Sequence, residues 1–369
     1  MNGPSILLNF FVAVCAIISA CVHKRSRQNQ SGQPTVSSIG PIRTFQGDCQ
    51  NSTTEIIQPG FWDGCLLLNG DERKFRVYRP QGHAPNSSPI ALVIVLHGGG
   101  GSAEAASDPS QNALGVMNSI ADKAGFVVVY PQGTADSGGR LGWNDCRSDD
   151  RSKSGADDVG FLAALILKLQ HDLKIDRTKV FMTGTSNGAM MTFRFAMEKP
   201  EMLGGIATSS GNIAKNPMDG RCKSGSPIPV PILMTHGSED PVVPANGGVV
   251  ACLGRTRNSC HRGEVLSSKA TVEFWLKTNH LENSYPKTRT LDEVENDGGS
   301  AIESVYEKVK IKQSEVSVSE RPLKVVSWTL NGAGHPPPSR VVDKGNRFVG
   351  TQNREIEFAE IAWNFFRSI

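Results

Sequence analysis

The stretch VFMTGTSNGAMM, Val180 to Met191, decides how this chain is read. Glycine is common here, 38 of 369 residues, so a Gly-x-Ser-x-Gly pattern by itself says little. Its context says more. Val180 to Thr183 is a short, mostly apolar run of the kind that forms a buried parallel strand. After Ser186, the residues Met190, Phe193 and Met197 recur at helical spacing up to Pro200. A serine between such a strand and such a helix, with glycine on either side, sits on a turn sharp enough to hold its hydroxyl out for attack. The competing reading is a tight turn between a strand and a helix without chemistry.

Working outward, CLLL and KFRVYRP flank Asn69-Gly70-Asp71 as a hairpin. Strands and helices then alternate. ALVIVLHGGGG and FVVVYPQG read as strands, and DDVGFLAALILKLQHDL reads as a helix capped by Asp157 or Asp158. GGIATSS, PVPILMTHGSED and LKVVSWTL add strands, KATVEFWLKTN a helix, and REIEFAEIAWNFFRSI a closing amphipathic helix. This alternation predicts a single α/β domain, a mainly parallel central sheet with helices on both faces.

Active groups in such sheets gather at the carboxyl ends of the strands. A serine hydroxyl attacks only when a histidine takes its proton and an acid orients that histidine, here in the chain order serine, acid, histidine. Asp240, ending a strand in LMTHGSEDPVVP, is the candidate acid, and Glu239 beside it reads as a solvated turn residue. His335 in NGAGHPPP is the candidate base, because it follows the last strand. His23, His83, His97 and His171 come too early; His236 reads as a buttress of its loop, and His261 and His280 lie in less suitable places. The backbone amides of Gly99 and Asn187 are the candidate oxyanion donors. Trp143 in GWNDC is a candidate for lining the acyl site, and Trp275 reads as core. The pair Asp157-Asp158 reads as helix capping rather than as an acid–base couple.

The net charge is +3, and Lys24, Arg25 and Arg27 account for all of it. The body is therefore neutral, with no basic stripe to support nucleic-acid binding. Residues 6–20 are almost wholly apolar and end in Ile18-Ser19-Ala20-Cys21, similar to a lipoprotein signal in which Cys21 takes a lipid and attaches the protein to a membrane. An ordinary cleaved signal and an anchor are the other readings, and no Lys or Arg precedes the apolar run. The expected organisation is a signal over 1–21, a flexible tether over 22–48 and a catalytic domain over 49–369, secreted or lipid-anchored. Cys49, Cys65, Cys146, Cys222, Cys252 and Cys260 form an even set that suits disulfides in an exported chain, with their pairing open. No CxxC spacing favours a metal, and no cofactor is expected.

Together, LHGGGGSAE, YPQG with GWNDC, DDVGF, VFMTGTSNGAMM, HGSEDPVVP, ENDGG, GAGH and IAWNFF occur in an order that resembles one family. It is the extracellular α/β-hydrolase family of poly(3-hydroxybutyrate) depolymerases and feruloyl esterases, akin to carbohydrate esterase family 1, and the likeness runs from about Gly64 to the C-terminus. The resemblance implies Ser186 as nucleophile, Asp240 as acid and His335 as base. Two positions depart from its pattern: Ala189 stands where a second glycine is common, and Pro336-Pro337-Pro338 stand where Thr-Trp-Pro often follows the histidine. The expected activity is a serine carboxylic-ester hydrolase acting on feruloyl or acetyl groups of polysaccharide fragments, or on hydroxyalkanoate oligomers. Depolymerisation of polyester, acyl transfer to another acceptor, and a non-catalytic binding role on the same fold are the rival expectations.

Overall fold

Asn69 and Gly70 have φ of 51° and 92°, the pair of positive values that a two-residue type I′ turn requires. They close the hairpin of β1 (Gly60–Leu68) and β2 (Asp71–Arg79), with Leu68 opposite Asp71. The computed structural model describes residues 58–81, 89–147, 155–215, 228–251, 262–294, 298–308, 322–341, 344–345 and 347–369, which all fall in one compact unit. The expected signal, the tether and Cys21 lie outside these residues, as do Cys49, Cys222, Cys252 and Cys260. Cys65 and Cys146 are both disulfide-bonded.

The sheet continues with β3 (Ile90–Leu96), β4 (Val127–Pro131), β5 (Ile175–Thr185), β6 (Gly205–Ser209) and β7 (Ile232–Gly237). It ends with β8 (Lys287–Leu291), β9 (Ser300–Glu307) and β10 (Lys324–Asn331). The strand order is β1-β2-β4-β3-β5-β6-β7-β10-β9-β8. The centre, β4-β3-β5-β6-β7-β10, is parallel throughout, and antiparallel strands close both edges.

The helices are α1 (Ala103–Ser107), α2 (Met117–Ala124), α3 (Asp158–Asp172), α4 (Asn187–Glu198), α5 (Ser268–Thr278) and α6 (Phe358–Phe366). Val93 and Val95 share an apolar cluster with residues of α1, α2 and α6. Leu92, Ile94 and Leu96 alternate with them along the strand and face the other side of the sheet, where α3 and α4 lie against β5. Trp275 of α5 is buried there, 6.2 Å from the ring of Phe193, as a core residue should be.

The structure differs from the sequence reading in several places, α1 and α2 being helices that the reading did not include. β8 and β9 were not expected, because Lys287 to Thr290 are all exposed and carry no hydrophobic alternation. Cross-strand charge pairs, Arg289 with Glu303 and Lys287 with Glu307, stitch this edge instead. The closing helix starts only at Phe358, because Glu355 and Glu357 turn their carboxylates onto backbone amides of Glu293 and Arg340 and hold the chain out of the helix. Finally, only Asp157 caps α3, accepting from the amide of Gly160 at 2.8 Å. Asp158 is instead fully buried, 2.6 Å from Arg73 Nη2 and 2.7 Å from the amide nitrogen of Asn144. Burial pushes its carboxyl pKa up, against the pull of Arg73.

Candidate active site

Ser186 is the one residue between the end of β5 and the start of α4, and its backbone stands at φ 54°, ψ −120°. A non-glycine residue held there stores about 1–3 kcal/mol of strain, which the surrounding structure must impose. The imposing contacts are visible. The Ser186 amide donates to the Ser209 carbonyl at 2.9 Å on the neighbouring strand, and its own carbonyl accepts from Met190 at 3.0 Å in the first turn of α4. Gly188 lets that helix cross the end of β3, since a Cβ there would run into the carbonyl oxygens of Leu96 and His97.

Asp240 follows β7 and His335 follows β10, two parallel neighbours, so both loops emerge on the same side as Ser186. His335 Nε2 lies 3.0 Å from Ser186 Oγ, and His335 Nδ1 lies 2.8 Å from Asp240 Oδ2. The second oxygen of Asp240 accepts from the amides of Val242 and Val243 at 2.8 and 2.9 Å. Two strand-like backbone bonds, His335 to Val349 at 2.6 Å and Gly334 to Thr351 at 2.7 Å, seat the histidine loop. With the carboxylate on Nδ1, that nitrogen carries the proton and Nε2 is left to accept from the serine hydroxyl. The line can therefore carry a proton from Ser186 to His335 while Asp240 steadies the imidazolium. His236 lies 3.5 Å from Asp240 but spends its Nε2–H on the Val243 carbonyl at 2.9 Å. Burial pushes its pKa down against the pull of Asp240, so it stays neutral and props the acid loop.

Gly99 and Asn187 are brought side by side: a Cβ on Gly99 would stand 3.6 Å from Asn187 Cβ. Neither backbone amide meets a protein acceptor among the described residues, and that of Asn187 begins α4, where the helix dipole is positive. The loop before them is held by His97, which is buried. Its Nδ1–H donates to the Gly98 carbonyl at 2.8 Å, and its Nε2 accepts from the amide of Gly133 at 3.0 Å. Burial lowers its pKa to about 4, opposed only by the Gly98 bond, so the ring is neutral and can do both.

Residues 81–253 match the family model described as Phospholipase/Carboxylesterase. A putative esterase, NocK, from Nocardia uniformis subsp. tsuyamanensis is 26% identical over 308 residues, 81% of this chain and 80% of that protein. Feruloyl esterase C from Emericella nidulans is 28% identical over 259 residues, 69% of this chain and 85% of that one. Among solved structures, an acetyl xylan esterase from Aspergillus awamori is 17% identical, with a TM-score of 0.48 over 83% of this chain and 99% of that chain. The chain has the α/β-hydrolase fold and is similar to esterases of that fold. It is a carboxylic ester hydrolase.

Behind Gly99 and Asn187 lies a polar network. Asn187 Oδ1 accepts from the amide of Trp143 at 2.8 Å, and its Nδ2 donates to the Trp143 carbonyl at 3.0 Å and to Asp145 Oδ2 at 2.6 Å. Asp145 is paired with Arg147 at 2.7 Å, both buried, and Arg147 reaches on to the Arg262 carbonyl at 2.9 Å. Burial raises the Asp145 carboxyl pKa, but Arg147 and Asn187 outweigh it and hold it low. Trp143 itself is only 2% exposed, with its indole N–H committed to the His97 carbonyl at 2.9 Å. Trp143 therefore lies buried beneath the His97–Gly98 backbone, with its indole nitrogen already committed there. Asp145 and Arg147 were not singled out from sequence; the available signal was a charged pair flanking Cys146, two residues after Trp143. His23, His83 and His261 lie outside the described residues. Among the described residues, no cluster of three or more His, Cys, Asp or Glu side chains is arranged to hold a metal ion.

Proposed function

We propose that Ser186, His335 and Asp240 form the catalytic triad, with the amides of Gly99 and Asn187 as the oxyanion hole. The observation that carries this reading is the unbroken hydrogen-bond line from Ser186 to Asp240, built on a backbone strained at the serine. Ser186 Oγ attacks the ester carbonyl carbon as its proton passes to His335 Nε2. The carbonyl oxygen, now negative, takes the two amide hydrogens, each such donor contributing about 3 kcal/mol in known oxyanion holes. The intermediate collapses, the alcohol leaves with the proton from His335, and an acyl-serine remains. Water then attacks that ester with His335 as base, releasing the acid and restoring Ser186.

The substrates we propose are soluble feruloyl or acetyl esters of plant polysaccharide fragments, in keeping with relatives named as feruloyl esterases and an acetylxylan esterase/xylanase. Export is part of the proposal and rests on the apolar run over 6–20; lipid attachment at Cys21 is tested by palmitate labelling against Cys21→Ser. Among the described residues, no helix is long and apolar enough to cross a membrane. The functional test compares initial rates on methyl ferulate, an acetylated xylo-oligosaccharide and a 3-hydroxybutyrate trimer, with Ser186→Ala as background. Loss of a triad nucleophile costs about a million-fold, so the variant should be silent on whichever ester the wild type prefers. Turnover that survives Ser186→Ala at the wild-type rate would place the chemistry elsewhere. Preference for the trimer would move the substrate to hydroxyalkanoates.

A further inference from the structure

Three prolines follow His335, and they set how its loop can be held. Pro336, Pro337 and Pro338 bring no N–H and fix their own φ, so the segment is stiff and is tied down only through its carbonyls and its far end. The Pro337 carbonyl accepts from Gln352 Nε2 at 2.6 Å, and the Pro338 carbonyl accepts from the Phe358 amide at 3.0 Å. At the far end, the Ser339 hydroxyl donates to Glu357 Oε2 at 2.7 Å, and the Arg340 amide donates to the same oxygen at 2.9 Å. Ser339 and Glu357 are both buried. Glu357 stands at the N-cap of α6, yet its side chain makes no capping bond to that helix. Its carboxylate is committed to the histidine loop instead, and a buried carboxylate is costly unless it is so bonded.

α6 is a firm post for such a clamp. Phe358 and Phe366 are fully buried, and Phe366 stacks on Phe181 with ring centroids 4.6 Å apart. Phe181 lies on β5, the strand that leads into Ser186. One helix therefore touches both the strand that carries the serine and the segment that carries the histidine. Those two side chains must meet at 3.0 Å although they stand 149 residues apart in the chain. We propose that Glu357 is a positioning residue, which acts through Ser339 and the three prolines to hold His335 in line between Ser186 and Asp240. The inference rests on the triad reading given above.

Glu357→Leu fills a similar space without accepting a hydrogen bond, while Glu357→Gln keeps an oxygen for the two donors. Both are compared with the wild type on 4-nitrophenyl acetate, with Ser186→Ala as background. The reactive serine is counted by a phosphonate label, so that unfolded protein does not enter the rate. A misplacement of about 1 Å costs about 100-fold, so Glu357→Leu should lower kcat per reactive serine about 10- to 100-fold, with KM within about twofold. Glu357→Gln should keep kcat within about threefold of the wild type. The low-field proton signal of His335 Nδ1–H should shift or broaden in the leucine variant and return in the glutamine one. Should Glu357→Leu fail to fold, Ser339→Ala takes its place, with kcat expected to fall about fivefold. Wild-type kcat in the variant so tested overturns the proposal, even if its melting temperature falls, because Glu357 would then be structural only. A glutamine variant as slow as the leucine one overturns it as well. Wild-type turnover that survives Ser186→Ala would overturn the triad reading and this proposal together, whereas Ser186-dependent turnover that is blind to Glu357 overturns this proposal alone.

Discussion

Removing the Asn187 side chain separates its amide from its network. Asn187 is 5% exposed and its carboxamide makes three bonds, to the Trp143 amide, the Trp143 carbonyl and Asp145 Oδ2. Asn187→Ala leaves all three partners in the protein without that contact, in a place water reaches poorly. The two backbone bonds contribute about 1 kcal/mol each and the charge-assisted bond to Asp145 about 2, so the variant should lose about 4 kcal/mol of stability. The backbone amide proposed as an oxyanion donor is unchanged, and so are Ser186 and His335. Activity should therefore fall only as far as the 141–147 segment and His97 drift, about 10- to 100-fold in kcat. Asn187→Asp is the sharper probe. It sets a carboxylate oxygen where Nδ2 now sits 2.6 Å from Asp145 and 3.0 Å from the Trp143 carbonyl, so it should be less stable than the alanine variant. Urea unfolding of the three proteins at neutral pH, with kcat measured in parallel, reads both quantities. An alanine variant within about 1 kcal/mol of wild type, or an aspartate variant more stable than the alanine one, would refute the network's role.

Other perturbations follow from the same geometry. The unfolded chain protonates His97 at its ordinary 6.5, and the folded chain only at about 4. Between these values the unfolded state binds more protons, so stability falls as the pH drops from 6.5 towards 4, and His97 adds no slope above 6.5. Between pH 7.5 and 4.5 the wild type should lose about 2 to 3 kcal/mol more than His97→Gln in urea titrations; parallel curves would contradict this. Arg73→Met strands the buried Asp158 carboxylate and should cost about 3–5 kcal/mol, part of which Asp158→Asn in the same chain should restore. Gly188→Ala drives a methyl group into the Leu96 and His97 carbonyls, displacing the elbow from the oxyanion loop; kcat should fall about 100-fold or more, and an unchanged rate would show that α4 can shift freely.

The parallel centre of the sheet was legible because buried strands such as Val127–Pro131 and helices such as Asp158–Asp172 carry their periodicity within a few residues. The antiparallel edge at β8 and β9 was not, because β8 is exposed and its charge pairs reach across to β9, which leaves no hydrophobic pattern within β8 itself. The same holds at the start of α6, where Glu355 and Glu357 are good helix formers locally but are claimed by distant backbone amides.

Around the candidate site the division is similar. Ser186, Asp240 and His335 each end or follow a strand, so chain order and the sheet's polarity sufficed to choose them, and the structure brings them within hydrogen-bond distance. His97, Trp143 and Asn187 could be noticed from sequence, but their partners could not. The sequence by itself determined the alternation of strands and helices, the sharp turn at Ser186 and the order of serine, acid and histidine, because those are local patterns read along one sheet. Only the tertiary structure decided that Trp143 is buried with its indole on the His97 carbonyl, that Asp158 is an ion-pair partner, and that Arg140 and Arg262 flank Gly99. The physical reason is range: burial and charge act between side chains far apart in the chain, and their balance exists only once the chain is folded.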